Sequence, residues 1–370
     1  MRITVLTLSL TMALVGGLAS ARADDIDDGP DDESSELELA QYNRSWNPGG
    51  APTADGFDVA PGGFDDGAPP IRSWFDPPDY GTYFQVDALF LARFHDVERP
   101  LVVTLPPGSV TALSSQDVSL KDKFSPGLLA TLGFNLNRVS AVEFTYFGLN
   151  DWDTQRSIFD PTANLGLAGT LQLTTTDFIF ADRFTVFYSS HVNNAEANYK
   201  QTIAGMTLLA GFRYFNLSEL FDIQAHNPVF NESSDYRVNA VNHLLGGQVG
   251  LGFDRQWNRL NVSALGKIGV FANLAHQQTL LRDLGNTLTI RDFRAEATPT
   301  SVLGEFQLNA SYQVLDWLAL RAGYRIIGVN NLVLGPAQVN LNTAPPGSKF
   351  IDPHEFLFLH GFNVGVELRW

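Results

Sequence analysis

The chain has 370 residues, of which 17% are charged, 44% apolar and 12% aromatic, with 27 Phe and no Cys. The lack of cysteine excludes disulfides, thiolate metal sites, iron–sulfur clusters and cysteine nucleophiles together. A net charge of −16 argues against a phosphate-binding surface, so no nucleic-acid partner is expected, and a mean hydropathy of −0.04 is too low for a bundle of membrane helices.

The first element is an export signal. Met1-Arg2 gives a basic start, residues 3–18 an uncharged apolar run, and Ala21-Arg22-Ala23 a small-x-small cleavage site. This is the pattern of a secretory signal peptide over residues 1–23. The run is short for a membrane helix of about 20 residues, and no later stretch approaches that length. Residues 24–79 follow with 15 acidic and 2 basic side chains among clusters of Pro and Gly. Like charge with low hydrophobicity does not offset the cost of ordering a chain, which predicts a disordered acidic segment. Within it, Asp25-Ile26-Asp27-Asp28-Gly29 places its Gly one position early for a calcium loop, and a solvated tail is the better reading. No metal and no cofactor is expected.

From residue 80 the hydrophobic period becomes two. Phe84, Val86, Ala88 and Phe90 alternate with Tyr83, Gln85, Asp87 and Leu89. Val262, Ala264, Gly266, Ile268 and Val270 form one face of a later segment, and Val302, Gly304, Phe306, Leu308, Ala310 and Tyr312 one face of the next. Alternation over such lengths predicts strands, since a helix brings apolar positions at steps of three and four. Ten strands are expected, at 81–94, 125–135, 138–151, 184–201, 206–221, 236–254, 259–279, 298–314, 317–332 and 354–370. Residues 170–182 would make twelve if they hid a hairpin. Several strands exceed the roughly 9–11 residues of a tilted membrane-crossing strand. Short connections near 136–137, 202–205, 255–258 and 315–317 alternate with long ones near 95–124, 153–183, 222–235, 282–297 and 333–353. The fold class expected is all-β: one up-and-down antiparallel transmembrane β-barrel over residues 80–370.

The end of the sequence has an assembly signal. Phe362, Val364, Val366, Leu368 and Trp370 form an apolar register ending on an aromatic. It looks like the terminal strand of bacterial outer-membrane barrels, which closes on the first strand with its aromatic at the interface. The expected location is therefore the outer membrane of a Gram-negative-type envelope, with outer-membrane lipid and the barrel-assembly machinery as partners.

The opposite, inward register holds Asp87, Glu143, Glu196, Arg213, Lys267, Glu305, Arg321, Arg325, Glu367 and Arg369. Two readings exist: a paired filling that plugs a small barrel, or an ion-selective path. A ten-stranded barrel lies near the size at which side chains just fill the lumen, which favours filling. Pairing Val314 with Leu318 puts Arg325 opposite Gln307 and diagonal to Glu305. Setting Trp370 beside Leu318 puts Arg321 near Glu367. Glu305, Arg321, Arg325 and Glu367 are thus the candidate lumen charge set. None of the seven His sits in H-E-x-x-H and no Ser in G-x-S-x-G, so no catalytic residue is named and the chain reads as a non-enzyme. His243 and His360 fall in the outward register, His226 and His354 in loops or at strand edges.

Several short segments together resemble a known family. Gly211-Phe212-Arg213-Tyr214-Phe215 with Leu217 and Glu219 looks like its G-x-R-Y-…-E segment, and the run from Asn242 to Gly250 like its N-x-x-x-G-x-Q-x-G segment. Glu143-Phe144-Thr145-Tyr146-Phe147-Gly148, the run from Leu320 to Arg325, and the run from Leu359 to Gly365 match further segments in order. Residues 80–370 thereby resemble the beta-barrel porin-7 family, found mainly in planctomycete bacteria. The resemblance implies an outer-membrane barrel and supplies no substrate or catalytic residue. The function expected is porin-like: passive passage of small solutes or ions, or a plugged structural barrel. The alternative is a binding or adhesion scaffold that acts through its surface loops, with an outer-membrane enzyme whose site is assembled from different loops as the remaining class.

Overall fold

The computed structural model describes residues 81–93, 98–105, 110–120, 123–169, 176–203, 205–341 and 351–370. The signal peptide expected at 1–23 and the disordered acidic segment expected at 24–79 lie outside the described residues. In chain order the strands are β1 (Thr82–Arg93), β2 (Pro100–Thr104), β3 (Thr111–Ser114), β4 (Ser125–Asn135), β5 (Ser140–Phe159), β6 (Leu165–Leu167), β7 (Ile179–Ala181) and β8 (Arg183–Ile203). They continue as β9 (Met206–Asn227), β10 (Glu232–Trp257), β11 (Leu260–Arg282), β12 (Thr289–Ala297), β13 (Thr300–Leu315), β14 (Leu318–Leu332) and β15 (Glu355–Arg369).

Ten of these form one closed antiparallel barrel, in the order β1-β4-β5-β8-β9-β10-β11-β13-β14-β15, with β15 returning to β1. Strand β12 prolongs the wall beyond β13 as a partner of β11, and β2, β3, β6 and β7 form a separate small sheet. Residues 170–182 add no wall strands: their described part is a turn at Thr176–Phe178 and the short β7, which belongs to the small sheet. Closure leaves no unpaired edge among the ten strands, which such apolar strands require. The cause is the period of two. Ile268, Phe306 and Tyr312 point outward and are 56%, 48% and 50% exposed, and Val262 lies on the same face. Their neighbours Lys267, Glu305 and Ser311 point inward and are buried.

Two expected long loops are strands instead. Strand β9 runs on to Asn227 and β10 starts at Glu232, so the loop placed at 222–235 shrinks to a turn at 228–231, with Asn231 at φ 53°. The segment at 282–297 is a short tip at 283–288 followed by β12, and β5 runs to Phe159. Beyond the apolar belt the two faces exchange character: Asp222 and Arg237 lie outside, while Ile223 and Val238 inside are apolar and buried. The apolar-out pattern that marks a membrane strand therefore ends there. At the β11–β12 tip the Leu288 N–H and the Thr287 hydroxyl donate to Asp283, and these bonds hold its carboxyl below the usual carboxylate range.

Register between β13 and β14 places Gln307 opposite Arg325, with an irregularity between Gln313 and Leu315 at the turn. Between β14 and β15, however, Leu318 faces Leu368 and not Trp370. Trp370 instead exchanges backbone hydrogen bonds with Thr82, at 3.0 and 2.9 Å. Closing a barrel requires stagger, so neighbouring strands do not end flush. A slip of two keeps every side chain on its face, but it moves Arg321 from Glu367 to a position opposite Gly365.

The interior has two levels. Toward the short-turn end it is polar and charged. Toward the loop end it is an apolar core in which Phe147, Trp152, Phe184, Phe215, Phe221 and Phe271 of the wall are each at most 1% exposed. The loops fold into this space. Leu101, Val102, Val118, Leu120, Leu165, Leu167 and Phe178 are buried against the wall, as are Val333, Leu334, Ala337 and Val339.

Candidate functional site in the barrel interior

At mid-height five charged side chains meet. Each sits at an inward position of its own strand, on β8, β9, β11, β13 or β14, and closure brings them together. Glu305 is the hub: Arg213 Nη1 lies 2.5 Å from its Oε2, Lys267 Nζ 3.0 Å from Oε2, and Arg325 Nη1 3.1 Å from Oε1. Gln307 also donates to it. Glu196 holds the other side, with Lys267 Nζ at 2.9 Å and Arg213 Nη1 at 3.6 Å. Gln248, Asn194 and Asn198 donate to Glu196 at 2.8, 3.1 and 3.0 Å. Such a density of partners is what keeps a buried ion pair tolerable, because desolvation of each charge is costly.

Closer to the short-turn end is a second set. Arg321 Nη1 lies 3.4 Å from Asp87 Oδ2 and also donates to Gln85. Glu367 takes Arg369 on one oxygen at 2.5 Å and Gln85 Nε2 on the other at 2.9 Å. Of the four candidate lumen residues, Arg325 and Glu305 are thus a direct pair, whereas Gln85 bridges Arg321 and Glu367, accepting from the first and donating to the second. Gly365 explains the first reach. It lies between Asp87 on β1 and Arg321 on β14, and a Cβ there would stand 2.2 Å from Asp87 Oδ1. Without a side chain at 365, the guanidinium crosses β15 to Asp87. Lys200 and Tyr83 both engage Glu143, the lysine at 2.6 Å.

Above the mid-height layer three wall side chains staple the inserted segment 333–341. Glu219 Oε2 accepts from Gly335 N at 2.7 Å, while its Oε1 takes Arg93 Nη1 and the Tyr188 hydroxyl, both at 2.8 Å. Asn242 pairs with Val333 as a backbone would, donating to its carbonyl at 2.7 Å and accepting from its N–H at 2.8 Å. The Tyr236 hydroxyl bonds the carbonyl and the N–H of Asn340 at 3.0 and 2.8 Å. Five backbone groups of the insert, on Val333, Gly335 and Asn340, thereby find the partners that an apolar core alone would deny them. Glu219→Gln should raise the exchange rate of the Gly335 amide about ten- to a hundredfold, given the worth of a bond to a charged acceptor. Hydrogen–deuterium exchange of the peptide spanning 333–341 measures this, with the β9–β10 wall amides as the unchanged control.

On the outer surface Tyr214 shares a hydrogen bond of 2.8 Å with His243, and Tyr324 one of 2.8 Å with His360. His226 is at the end of β9, its Nδ1 2.7 Å from Asp182; His354 lies 2.8 Å from Asp352. Among the described residues no three His, Asp or Glu side chains gather as a metal site.

Sequence reasoning placed the charged layer on the inward face but missed two things. It missed Arg93–Glu219, because both lie where strands leave the apolar belt. It also missed the apolar plug. A signal for the plug existed: β8 and β9 carry Phe184, Val186 and Val192, and Phe215, Leu217, Phe221 and Ile223, on the register that is polar further along the same strands. The inserted loops supply matching apolar runs such as Leu101-Val102-Val103.

No family model matches the chain, and no curated protein matches it. Among solved structures, the chain is similar to the outer membrane protease OmpT from Escherichia coli, at 8% identity and a TM-score of 0.42, covering 80% of this chain and 98% of that one. It is also similar to the Ralstonia pickettii toluene transporter TbuX, at 10% identity and a TM-score of 0.31 over 79% of this chain and 90% of that one. An anion-selective porin from Comamonas acidovorans gives 12% identity and a TM-score of 0.15, over 78% and 99%.

Proposed function

We propose that the chain is an outer-membrane β-barrel protein of porin-like architecture, closed by its own inserted loops and serving as a plugged structural barrel. The observation that carries this reading is that buried side chains occupy both levels of the interior, an apolar plug over a layer of ion pairs. The outward face supports the location. Phe212, Val249, Ile268, Val270 and Phe306 form an exposed apolar belt. Trp257, Trp317 and Trp370 flank it at the short-turn end, and the Tyr214–His243 and Tyr324–His360 pairs toward the loops. Lipid demands a closed sheet, and amphipathic rings settle at its interfaces. In this placement the signal peptide exports the chain, the assembly machinery inserts it, and the long loops face outward from the cell. The segments that resemble those of the beta-barrel porin-7 family agree with the same reading. No catalytic step belongs to it.

Conductance of the refolded protein in planar bilayers is the test. A plugged barrel gives no steps of constant size even at high protein load; such steps would overturn the plugged reading in favour of an open pore. A second reading, a surface scaffold that binds through its loops, is favoured by one observation. Val229, Phe230 and Leu288, at the β9–β10 and β11–β12 tips, are 79%, 64% and 64% exposed beyond the belt.

A further inference from the structure

We propose that the mid-height ion-pair layer binds one small monovalent anion of the halide class, between Arg213 and Arg325. The layer contains three cations, Arg213, Lys267 and Arg325, against two carboxylates, Glu196 and Glu305. The charged groups on the elements around it are engaged with one another: Arg93 with Glu219 above, and Arg321 with Asp87, Arg369 with Glu367 and Lys200 with Glu143 below. One positive charge in the layer is therefore in excess.

The excess coincides with donors that lack acceptors. Arg213 and Arg325 have side chains 0% and 6% exposed. Arg213 Nη2 and Arg325 Nε are buried without a hydrogen-bond partner. Arg325 Nη1 is close enough to Glu305 for an ion pair but lacks the geometry of a hydrogen bond. Both guanidiniums grip the same carboxylate, Arg213 at Oε2 and Arg325 at Oε1, so the open N–H groups belong to two cations one carboxylate apart. A buried guanidinium N–H without an acceptor carries its full desolvation cost. A bound anion removes that cost and the excess charge at once. The surroundings select its kind. The Phe215 ring lies 5.9 Å from the Arg213 guanidinium carbon and the Phe147 ring 5.4 Å from that of Arg325. Apolar walls and a single excess charge suit chloride or bromide, and disfavour phosphate or sulfate, which carry more charge and need more donors.

The test is refolding from urea into micelles in sodium chloride, sodium bromide or sodium gluconate at equal ionic strength, so that the ion enters as the barrel closes. A ligand of the folded state alone stabilises it by mass action. The urea midpoint should rise saturably with chloride or bromide and stay flat with gluconate, and Arg325→Gln should abolish the difference between salts. Crystals grown in bromide should show an anomalous peak between Arg213 and Arg325. Equal midpoints in all three salts with no such peak overturn the proposal. So does a halide dependence that persists in Arg325→Gln, because it puts the ion elsewhere. If Arg325→Gln does not fold, the bromide peak alone decides.

Discussion

Deleting residues 362–370 should abolish the folded barrel. The lost segment pairs on both sides, from Phe90–Phe362 to Tyr83–Arg369 along β1 and from Tyr324–Phe362 to Leu318–Leu368 along β14. Its removal leaves both neighbours with open backbone groups, and each unsatisfied group in hydrocarbon costs several kcal/mol. No rearrangement of side chains recovers that. Glu367 and Arg369 go with the segment, so Gln85 Nε2 loses its acceptor. Inserting one residue between Val364 and Gly365 should do comparable harm. It removes no residue from the strand but turns Phe362 and Val364 inward relative to Trp370. Phe362 now stacks on Phe90 at 4.9 Å on the outer face, and inside it would meet the charged layer. The readout is heat-modifiable protein in the outer-membrane fraction. Normal amounts from both variants would show that β15 is not needed to close the barrel.

Glu305→Gln should destabilise the barrel by about 3–5 kcal/mol, the cost of breaking a buried ion pair from one side. Shape is retained, so the loss is electrostatic. Three cations that converge on Glu305 are left with Glu196 alone, at 2.9 Å from Lys267 and 3.6 Å from Arg213. Adding Arg325→Gln should recover part of the loss, because it removes a cation whose partner is already gone. A coupling on the order of 0.5–3 kcal/mol is expected for residues in one network. Urea midpoints in detergent micelles, in gluconate to hold halide binding aside, measure both variants. Near-zero effects for the single and the double change would mean that this level of the interior is wide and wet.

The charged layer illustrates how much was legible beforehand. Alternation assigns each of Glu196, Arg213, Lys267, Glu305 and Arg325 to the inward face without any knowledge of the fold, since a strand's face depends only on parity. The β13–β14 turn is short enough to set register by counting, so Gln307 opposite Arg325 follows from it. The β14–β15 connection is long, and counting fails there. Aligning chain ends places Arg321 beside Glu367, whereas the stagger of the closed barrel places it beside Gly365 and lets it cross to Asp87.

The plug is the larger gap. Period-two patterning says which side chains face inward and nothing about what fills the inside, because inserted loops have no period of their own. Whether Leu101 and Val102 lie on the surface or in one core with Phe221, and Val333 with Ala240 and Ala275, depends on contacts far apart in sequence. The staples at Glu219, Tyr236 and Asn242 become visible only when strand and loop are seen together. By itself the amino-acid order determined the all-β class, ten or twelve wall strands and the inward or outward face of the residues in the apolar belt, all of which are local, one-dimensional properties of alternation; that residues 170–182 add no wall strand was decided by the fold. The tertiary structure decided the stagger, the partners of each charge and the filling of the lumen. Barrel closure is a condition on ten strands at once, and no single stretch of chain encodes it.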